Sequence, residues 1–473
     1  MGNYDRLGAL DASFLHLERL ETPMHVGALS VFEGESFFDD TGRFRLADAR
    51  ALVNSRLHLI PRFRRRLMDV PLGQGRPIWV DDDRFDITYH VRLTALPNPG
   101  SREQLLTLCS RIQGGLLDRT RPLWELWFVE GLAGGHVGLI QKTHHALVDG
   151  VSGVDVATVL FDLTPEPTPV DTPEWVPAPP PASACLLSDS LLERATQPAE
   201  MARTARAAVR GPRRAAASAT RIVRSMQSMV DRQMVAPRTS LNAPVGRNRR
   251  FETVTVSLDG VKRVRKALGG TVNDVVLAGV AGGLRSLLES RDESVEGLTL
   301  KALCPVSVRD EHEHLALGNR VSAMFVSLPV GEPDPALRLD GIRLTTEHLK
   351  EREQAVGAAF LVDLTEYAAP TLLGLAARAA HRQPFYNLIV TNVPGPQVPL
   401  YCMGGRLLEA YPAVPLSKNT SVVVGILSYC GQLHFGLFAD RDAAPDLSVF
   451  AAAIEDAFAE LEKVAEEATE GGS

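Results

Sequence analysis

Residues Gln141 to Gly153 read Gln-Lys-Thr-His-His-Ala-Leu-Val-Asp-Gly-Val-Ser-Gly, and the reading of this stretch decides the reading of the chain. Just before it, His136-Val137-Gly138-Leu139-Ile140 follows the turn signal Gly134-Gly135 and predicts a short apolar strand. Just after it, Val154 to Leu160 predicts the start of a buried helix, so Asp149 and Gly150 fall in a tight strand-to-helix connection. Side chains alternate across a strand, so His144 and His145 point to opposite sides and only one can face a given cavity. An imidazole titrates near physiological pH and can take the proton of an alcohol, thiol or amine that attacks a carbonyl. Asp149 is suited to a local hydrogen bond or to a buried arginine, holding the loop in shape, and Gly150 permits a turn that other residues would strain.

Working outward, the 473 residues are too many for one ordinary core, since single cores stop growing at roughly 250 to 300 residues. Two α/β subdomains are expected: residues 1–163 with the histidine motif, a linker over 164–245, and residues 246–473. Apolar residues make up 45% of the chain and the net charge is -7, so no overall basic signature for nucleic acid is present. Five widely spaced cysteines form no CxxC pair, which fits neither a disulfide framework nor a zinc site and suits a reducing cytoplasm. No segment reaches the ~18 continuous apolar residues that a membrane-spanning helix requires.

In the first part, Asp11 to Leu20 predicts a helix and His25 to Phe32 a strand, with Glu18 between them as a solvated helix-end carboxylate. The basic run Arg62-Phe63-Arg64-Arg65-Arg66 reads as a solvated face or as a partner for an anionic cofactor. Ser101-Arg102-Glu103-Gln104 is a capping box that opens a helix. Trp124 precedes an apolar strand and reads as core or as a wall of a substrate channel. Residues 164–182 are proline-rich and exclude a regular helix. From Leu186 to Val235 the pattern is helical, Ala-rich and basic, which suits a crossover between subdomains or a helix lying on an anionic membrane surface.

The second part restarts with a strand over Phe251 to Val256. Thr271-Val272-Asn273-Asp274 then caps a small-residue helix in which Gly279, Gly282 and Gly283 permit close approach of another backbone. Glu311-His312-Glu313-His314 lies in a charged loop without a third ligand and is rejected as a metal site. Arg309 and Arg320 are candidates to neutralise Asp149 or Glu18, because buried carboxylates require partners. Ala358 to Ala380 predicts a helix broken at Pro370, and Leu388 to Val393 a strand.

These motifs together resemble the wax ester synthase/diacylglycerol acyltransferase family, within the coenzyme A-dependent acyltransferase superfamily that includes chloramphenicol acetyltransferase and peptide-synthesis condensation domains. The resemblance runs through Leu10-Asp11-Ala12-Ser13-Phe14-Leu15, Pro23-Met24-His25-Val26-Gly27, Pro122-Leu123-Trp124-Glu125, the HHxxxDG motif at His144 to Gly150, and Asn273-Asp274. It continues through Pro305 to Arg309, Leu317 to Arg320 and Thr391 to Pro396, in the family's order.

What the resemblance implies is a pair of chloramphenicol acetyltransferase-like subdomains with mixed sheets and the active site between them. It implies transfer of a long-chain acyl group from acyl-CoA, a co-substrate and not a bound cofactor, to a fatty alcohol or diacylglycerol. His145 would then be the general base, His144 and Asp149 supporting residues, and Glu18, Asn273 and Asp274 neighbours of the site. No GxSxG nucleophile elbow is present, which agrees with direct transfer. The expected location is cytoplasmic, with peripheral contact at the inner membrane or at lipid bodies. A different hydroxyl acceptor, such as a polyketide or glycolipid, and a non-catalytic lipid-binding role are the competing readings.

Overall fold

The computed structural model describes residues 5–73, 75–147, 159–167, 170–190, 192, 235–307, 321–353 and 385–470. Asp149, Gly150, Arg309, Arg320, the 311–314 stretch and the helix expected at 358–380 lie outside the described residues. So does most of the helices expected at 154–160 and 186–235.

In chain order the first half contributes β1 (Asp5–Arg6), α1 (Ala9–Leu17), β2 (His25–Phe32), α2 (Leu46–Arg56), β3 (Arg65–Met68), β4 (Ile78–Asp81), α3 (Ile87–His90), β5 (Val91–Ala95), α4 (Arg102–Gly114), β6 (Trp124–Glu130) and β7 (Val137–His144). The second contributes β8 (Arg249–Ser257), α5 (Leu258–Leu268), α6 (Val272–Ser290), β9 (Leu300–Ser307), β10 (Val321–Leu328), α7 (Pro335–Glu353), β11 (Leu388–Val393), β12 (Tyr401–Cys402), β13 (Gly405–Ala413), β14 (Val422–Tyr429), β15 (Gln432–Asp440) and α8 (Leu447–Glu470). Residues 170–182, the proline-rich stretch, run without helix or strand.

Two six-stranded sheets result, ordered β12-β13-β2-β7-β6-β5 and β10-β9-β11-β14-β15-β8. Both are mixed: β5 runs parallel to β6, and β11 is parallel to both β9 and β14, while the remaining pairs are antiparallel. The hairpin β12-β13 comes from the second half of the chain yet completes the first sheet through β2. The range 246–473 expected for a second subdomain therefore divides between the two sheets. No local signal marks this exchange, because strand pairing across hundreds of residues is a tertiary choice.

The second sheet carries α5, α6 and α8 over a core built from α6 residues such as Val276, Val280 and Leu284 against Phe450, Ile454 and Phe458 of α8. A Cβ on Gly283 would meet the main-chain nitrogen of Ile454 at 3.1 Å, so this glycine admits a neighbouring backbone, whereas Gly279 and Gly282 face side chains, Phe458 and Arg338 with Ala457. A further core, including Leu29, Ile140, Phe251, Val423 and Phe438, joins the two sheets to each other. Helix α4 packs against both β7 and β8 and so spans the junction.

Candidate active site

Strand β7 holds the histidines. It runs to His144, and β2 pairs with it antiparallel in a register that sets His25 directly opposite His144. The His145 amide then donates to the Met24 carbonyl at 2.8 Å, which holds the chain to β2 for one more residue before it turns. The Leu147 amide closes that turn on the His144 carbonyl at 2.9 Å.

His144 is fully buried. Its Nδ1 accepts the Ala146 amide at 3.0 Å, so the ring's proton sits on Nε2 when the ring is neutral. That Nε2 faces Glu18 Oε1 at 3.3 Å, and His25 Nε2 reaches the same oxygen at 3.1 Å. Glu18 Oε2 receives Arg119 through Nη2 at 2.7 Å and Nε at 3.1 Å, and the Met24 amide donates to Oε1 at 3.3 Å. Burial pulls the Glu18 carboxyl upward, but the two histidines outweigh it and hold the group far below the usual carboxylate range.

Glu18 is therefore not a solvated helix-end residue, since its side chain is 3% exposed. Among the described residues its cation is Arg119, while Arg309 and Arg320, the candidates from sequence, lie outside them. A carboxylate that closes α1 in sequence is drawn inward because β2 and β7 bring two imidazoles to the same point.

His145 turns the other way and stacks on Phe14 of α1, with ring centroids 3.9 Å apart and an 18° angle between planes. Its Nδ1 is buried and meets no partner at normal hydrogen-bond geometry, although the residue's own main-chain carbonyl favours the charged ring. Burial dominates, with His144 adding to it, and pushes the pKa down to about 4, so the ring is neutral at physiological pH. A neutral, oriented imidazole is what a general base requires.

Other residues singled out by sequence are placed elsewhere. Trp124 lies in the core, where it donates to the Phe63 carbonyl at 2.7 Å and stacks on His90 with centroids 4.4 Å apart. Asp274 completes the capping box of α6, accepting the Thr271 amide and hydroxyl at 2.8 Å each, while its other oxygen accepts the Thr346 hydroxyl at 2.8 Å. Such a cap contributes about 1 kcal/mol. Asn273 is half-buried in the first turn of α6, and its side chain makes no hydrogen bond among the described residues.

The run Arg62 to Arg66 does not present free cations. Arg62 pairs with Asp5 at 3.2 Å and Arg65 with Asp81 at 3.1 Å, and Arg64 is buried against the Asn54 carbonyl at 3.0 Å. Sequence reasoning missed His25, Arg119 and Phe14 as parts of this cluster. The only signal for His25 was its place in the Pro-Met-His-Val-Gly motif at the start of a strand. Among the described residues no group of histidine, cysteine or acidic side chains is arranged to hold a metal ion.

Residues 7–276 match the family model of the wax ester synthase/diacylglycerol acyltransferase catalytic domain, and residues 317–462 match that family's C-terminal domain. The chain belongs to this family. A Mycobacterium tuberculosis protein assigned as a diacylglycerol O-acyltransferase is 33% identical over 99% of this chain and 92% of its own length. The solved wax ester synthase/diacylglycerol acyltransferase of Marinobacter aquaeolei VT8 superposes with a TM-score of 0.71 at 28% identity, covering 98% of this chain and 100% of that one. The starter condensation domain of rhizomide synthetase, solved with C8-CoA, gives a TM-score of 0.56 at 13% identity over 98% of this chain and 95% of that one. The fold is thus the two-subdomain one of the coenzyme A-dependent acyltransferases, as the resemblance implied.

Proposed function

We propose that this chain, an acyltransferase of that family, moves a long-chain acyl group from acyl-CoA to the hydroxyl of a diacylglycerol or a fatty alcohol, with His145 as general base. The observation that carries the assignment of the base is the position of His145: at the end of β7, neutral through burial, with its ring fixed on Phe14. Its buried Nδ1 leaves Nε2 as the nitrogen for the incoming hydroxyl.

In this mechanism Nε2 takes the hydroxyl proton as the oxygen attacks the thioester carbonyl carbon. The C–O bond forms, the C–S bond breaks, and the imidazolium returns the proton to the departing thiolate. Transfer is direct and needs no acyl-enzyme intermediate. His144 acts through Glu18, Arg119 and the Ala146 amide to set the turn that carries His145, and is a positioning residue. Asn273, whose half-buried side chain makes no hydrogen bond among the described residues, is assigned to substrate contact, and Asp149 with Gly150 to the shape of the loop. Acyl-CoA is the co-substrate and no permanently bound cofactor takes part. The basic segment within 186–235 is assigned to peripheral contact with an anionic membrane or lipid-body surface from the cytoplasmic side.

Product analysis with palmitoyl-CoA offered alongside hexadecanol and a diacylglycerol tests the reaction. Triacylglycerol, wax ester or both are expected, and thioester left intact with every acceptor would overturn the reading. His145→Ala at intact fold removes activity; near-normal turnover would sink the assignment of the base.

A further inference from the structure

With Arg62, Arg64 and Arg65 partnered inside the fold, the phosphates of a coenzyme A donor need a different cationic surface. An open cleft of about 710 Å3 lies between α4 and the start of β8. Six arginines line it, Arg102, Arg111, Arg247, Arg249, Arg250 and Arg441, against only two acidic side chains, Glu103 and Glu252. In a chain of net charge -7, this is a local excess of positive charge on a concave surface, the arrangement that concentrates anions.

The arginines divide into two sets. Arg249 is buried and fixed, donating to the carbonyls of Gly246 at 2.9 Å, Asn248 at 3.0 Å and Glu21, with Asp440 3.6 Å away. Arg102 is held by Glu409 at 2.9 Å and the Tyr411 hydroxyl at 2.7 Å, and Arg250 by the Pro445 carbonyl at 2.7 Å and Glu252 at 3.4 Å. The other three are exposed. Arg247 and Arg441 have only loose pairs, with Glu21 at 3.5 Å and Asp442 at 3.6 Å, and Arg111 has no acidic partner among the described residues. Exposed pairs of this kind contribute little to folding, so their guanidinium groups can turn to a ligand at small cost. A guanidinium fork matches two phosphate oxygens at once.

The cleft also borders the strand that carries the histidines. Gly114 and Gly115 line it, and Lys142 Nζ donates to the Gly115 carbonyl at 2.6 Å. Lys142 stands two residues before His144 on β7, and Arg249 grips the main chain at Glu21, three residues after Glu18. Coenzyme A carries its phosphates at the far end of a long pantetheine arm from the thioester. A phosphate subsite should therefore lie apart from the base yet beside the same strand end, which is where this cleft lies.

We propose that the cleft between α4 and β8 binds the phosphate groups of the acyl donor's coenzyme A, with Arg111, Arg247 and Arg441 making the contacts. This rests on the acyl-CoA reading above. An anionic lipid headgroup shares the same chemistry, and the test separates the two.

The experiment compares the full chain with Arg111→Glu in three measurements: calorimetric titration with free CoA, KM for palmitoyl-CoA against KM for the palmitoyl thioester of N-acetylcysteamine, and cosedimentation with phosphatidylglycerol vesicles. The truncated thioester lacks phosphates. The expected result is weaker CoA binding and a rise of about tenfold in the ratio of the two KM values. An unchanged ratio, or a loss confined to vesicle binding, overturns the proposal. If charge reversal prevents folding, Arg111→Ala and Arg441→Ala, both at exposed positions, give smaller losses in the same direction. Turnover by the parent protein with no change in ratio would refute the cleft and leave the reaction standing. CoA binding that Arg111→Glu weakens, without turnover of any donor, would refute the reaction and leave the cleft.

Discussion

Glu18 Oε1 lies 3.3 Å from His144 Nε2, so a carboxylate at the end of α1 fixes the last residue of β7. Because the same oxygen is 3.1 Å from His25 and the other oxygen holds Arg119, removing the charge strands several buried polar groups at once. Breaking such a cluster on one side costs about 3 to 5 kcal/mol. Glu18→Gln keeps the volume and is expected to lower the unfolding free energy by that order, with a matching fall in the urea midpoint, and to reduce kcat. Arg119→Ala is milder, since that guanidinium is 45% exposed. The comparison is urea unfolding of both variants beside the parent chain, and a Glu18→Gln protein as stable as the parent would refute the role.

Phe14 fixes the face of the base. Its ring stacks on His145 at 3.9 Å, and its loss opens the imidazole to water on one side. Burial is what holds the His145 pKa near 4, so Phe14→Ala should move it upward toward 6.5. Truncating this half-buried ring should also cost about 2 kcal/mol. The pH dependence of kcat/KM reports the change: the acid limb should shift to higher pH in Phe14→Ala, and a limb that stays in place would show that the stack does not set the base.

The histidine pair, the strand before it and the cap at Thr271 were legible because each is a local pattern. Ser101 and Gln104 form the expected capping box, with Gln104 Oε1 accepting the Ser101 amide at 2.7 Å. Glu18 was misread as solvated, since only the pairing of His25 with His144 across β2 and β7 makes its surroundings polar and buried. An aromatic beside a strand reads alike as core or as a channel wall, and the core position of Trp124 becomes visible only in its bond to the Phe63 carbonyl. The exchange of β13 into the first sheet had no local signal at all.

Acid should destabilise this fold well above the carboxylate range. Burial lowers His25, His90, His145 and His434 from 6.5 to about 4 each. In the unfolded chain these rings take up protons below pH 6.5, whereas in the fold they resist until about pH 4. The unfolded state therefore binds more protons throughout that window, and the stability present above pH 6.5 is lost progressively between 6.5 and 4. For any one of these rings the loss is at most about 3 kcal/mol. Glu18, with its depressed pKa, contributes above pH 4.5 and adds its own loss as the pH falls further. The urea midpoint should be level from pH 7 to 8 and fall steeply from 6.5 to 4, and a midpoint level across the lower window would contradict the burial of these rings.

The two sheets touch where β13 crosses β14 and β15. Gly425 and Gly436 stand opposite each other in the β14–β15 pair, and both face Pro412 of β13. A Cβ on Gly436 would lie 1.9 Å from the Pro412 carbonyl oxygen, and one on Gly425 would lie 3.0 Å from Pro412 Cβ. The obstacle at Gly436 is backbone, which cannot swing aside as a long side chain can. Gly436→Ala must therefore push β13 away from the second sheet, at a cost of about 2 kcal/mol or more. Since β13 is hydrogen-bonded to β2, which pairs with the histidine strand, the displacement should also reach the site. The expected outcome is a lower Tm together with reduced kcat, in a variant far in sequence from the histidines. Gly431→Ala supplies the comparison, because that glycine has open space around its Cβ although its φ of 80° strains any replacement. If Gly436→Ala lowers Tm no further than Gly431→Ala does, then the close approach of Pro412 does not set the spacing of the sheets.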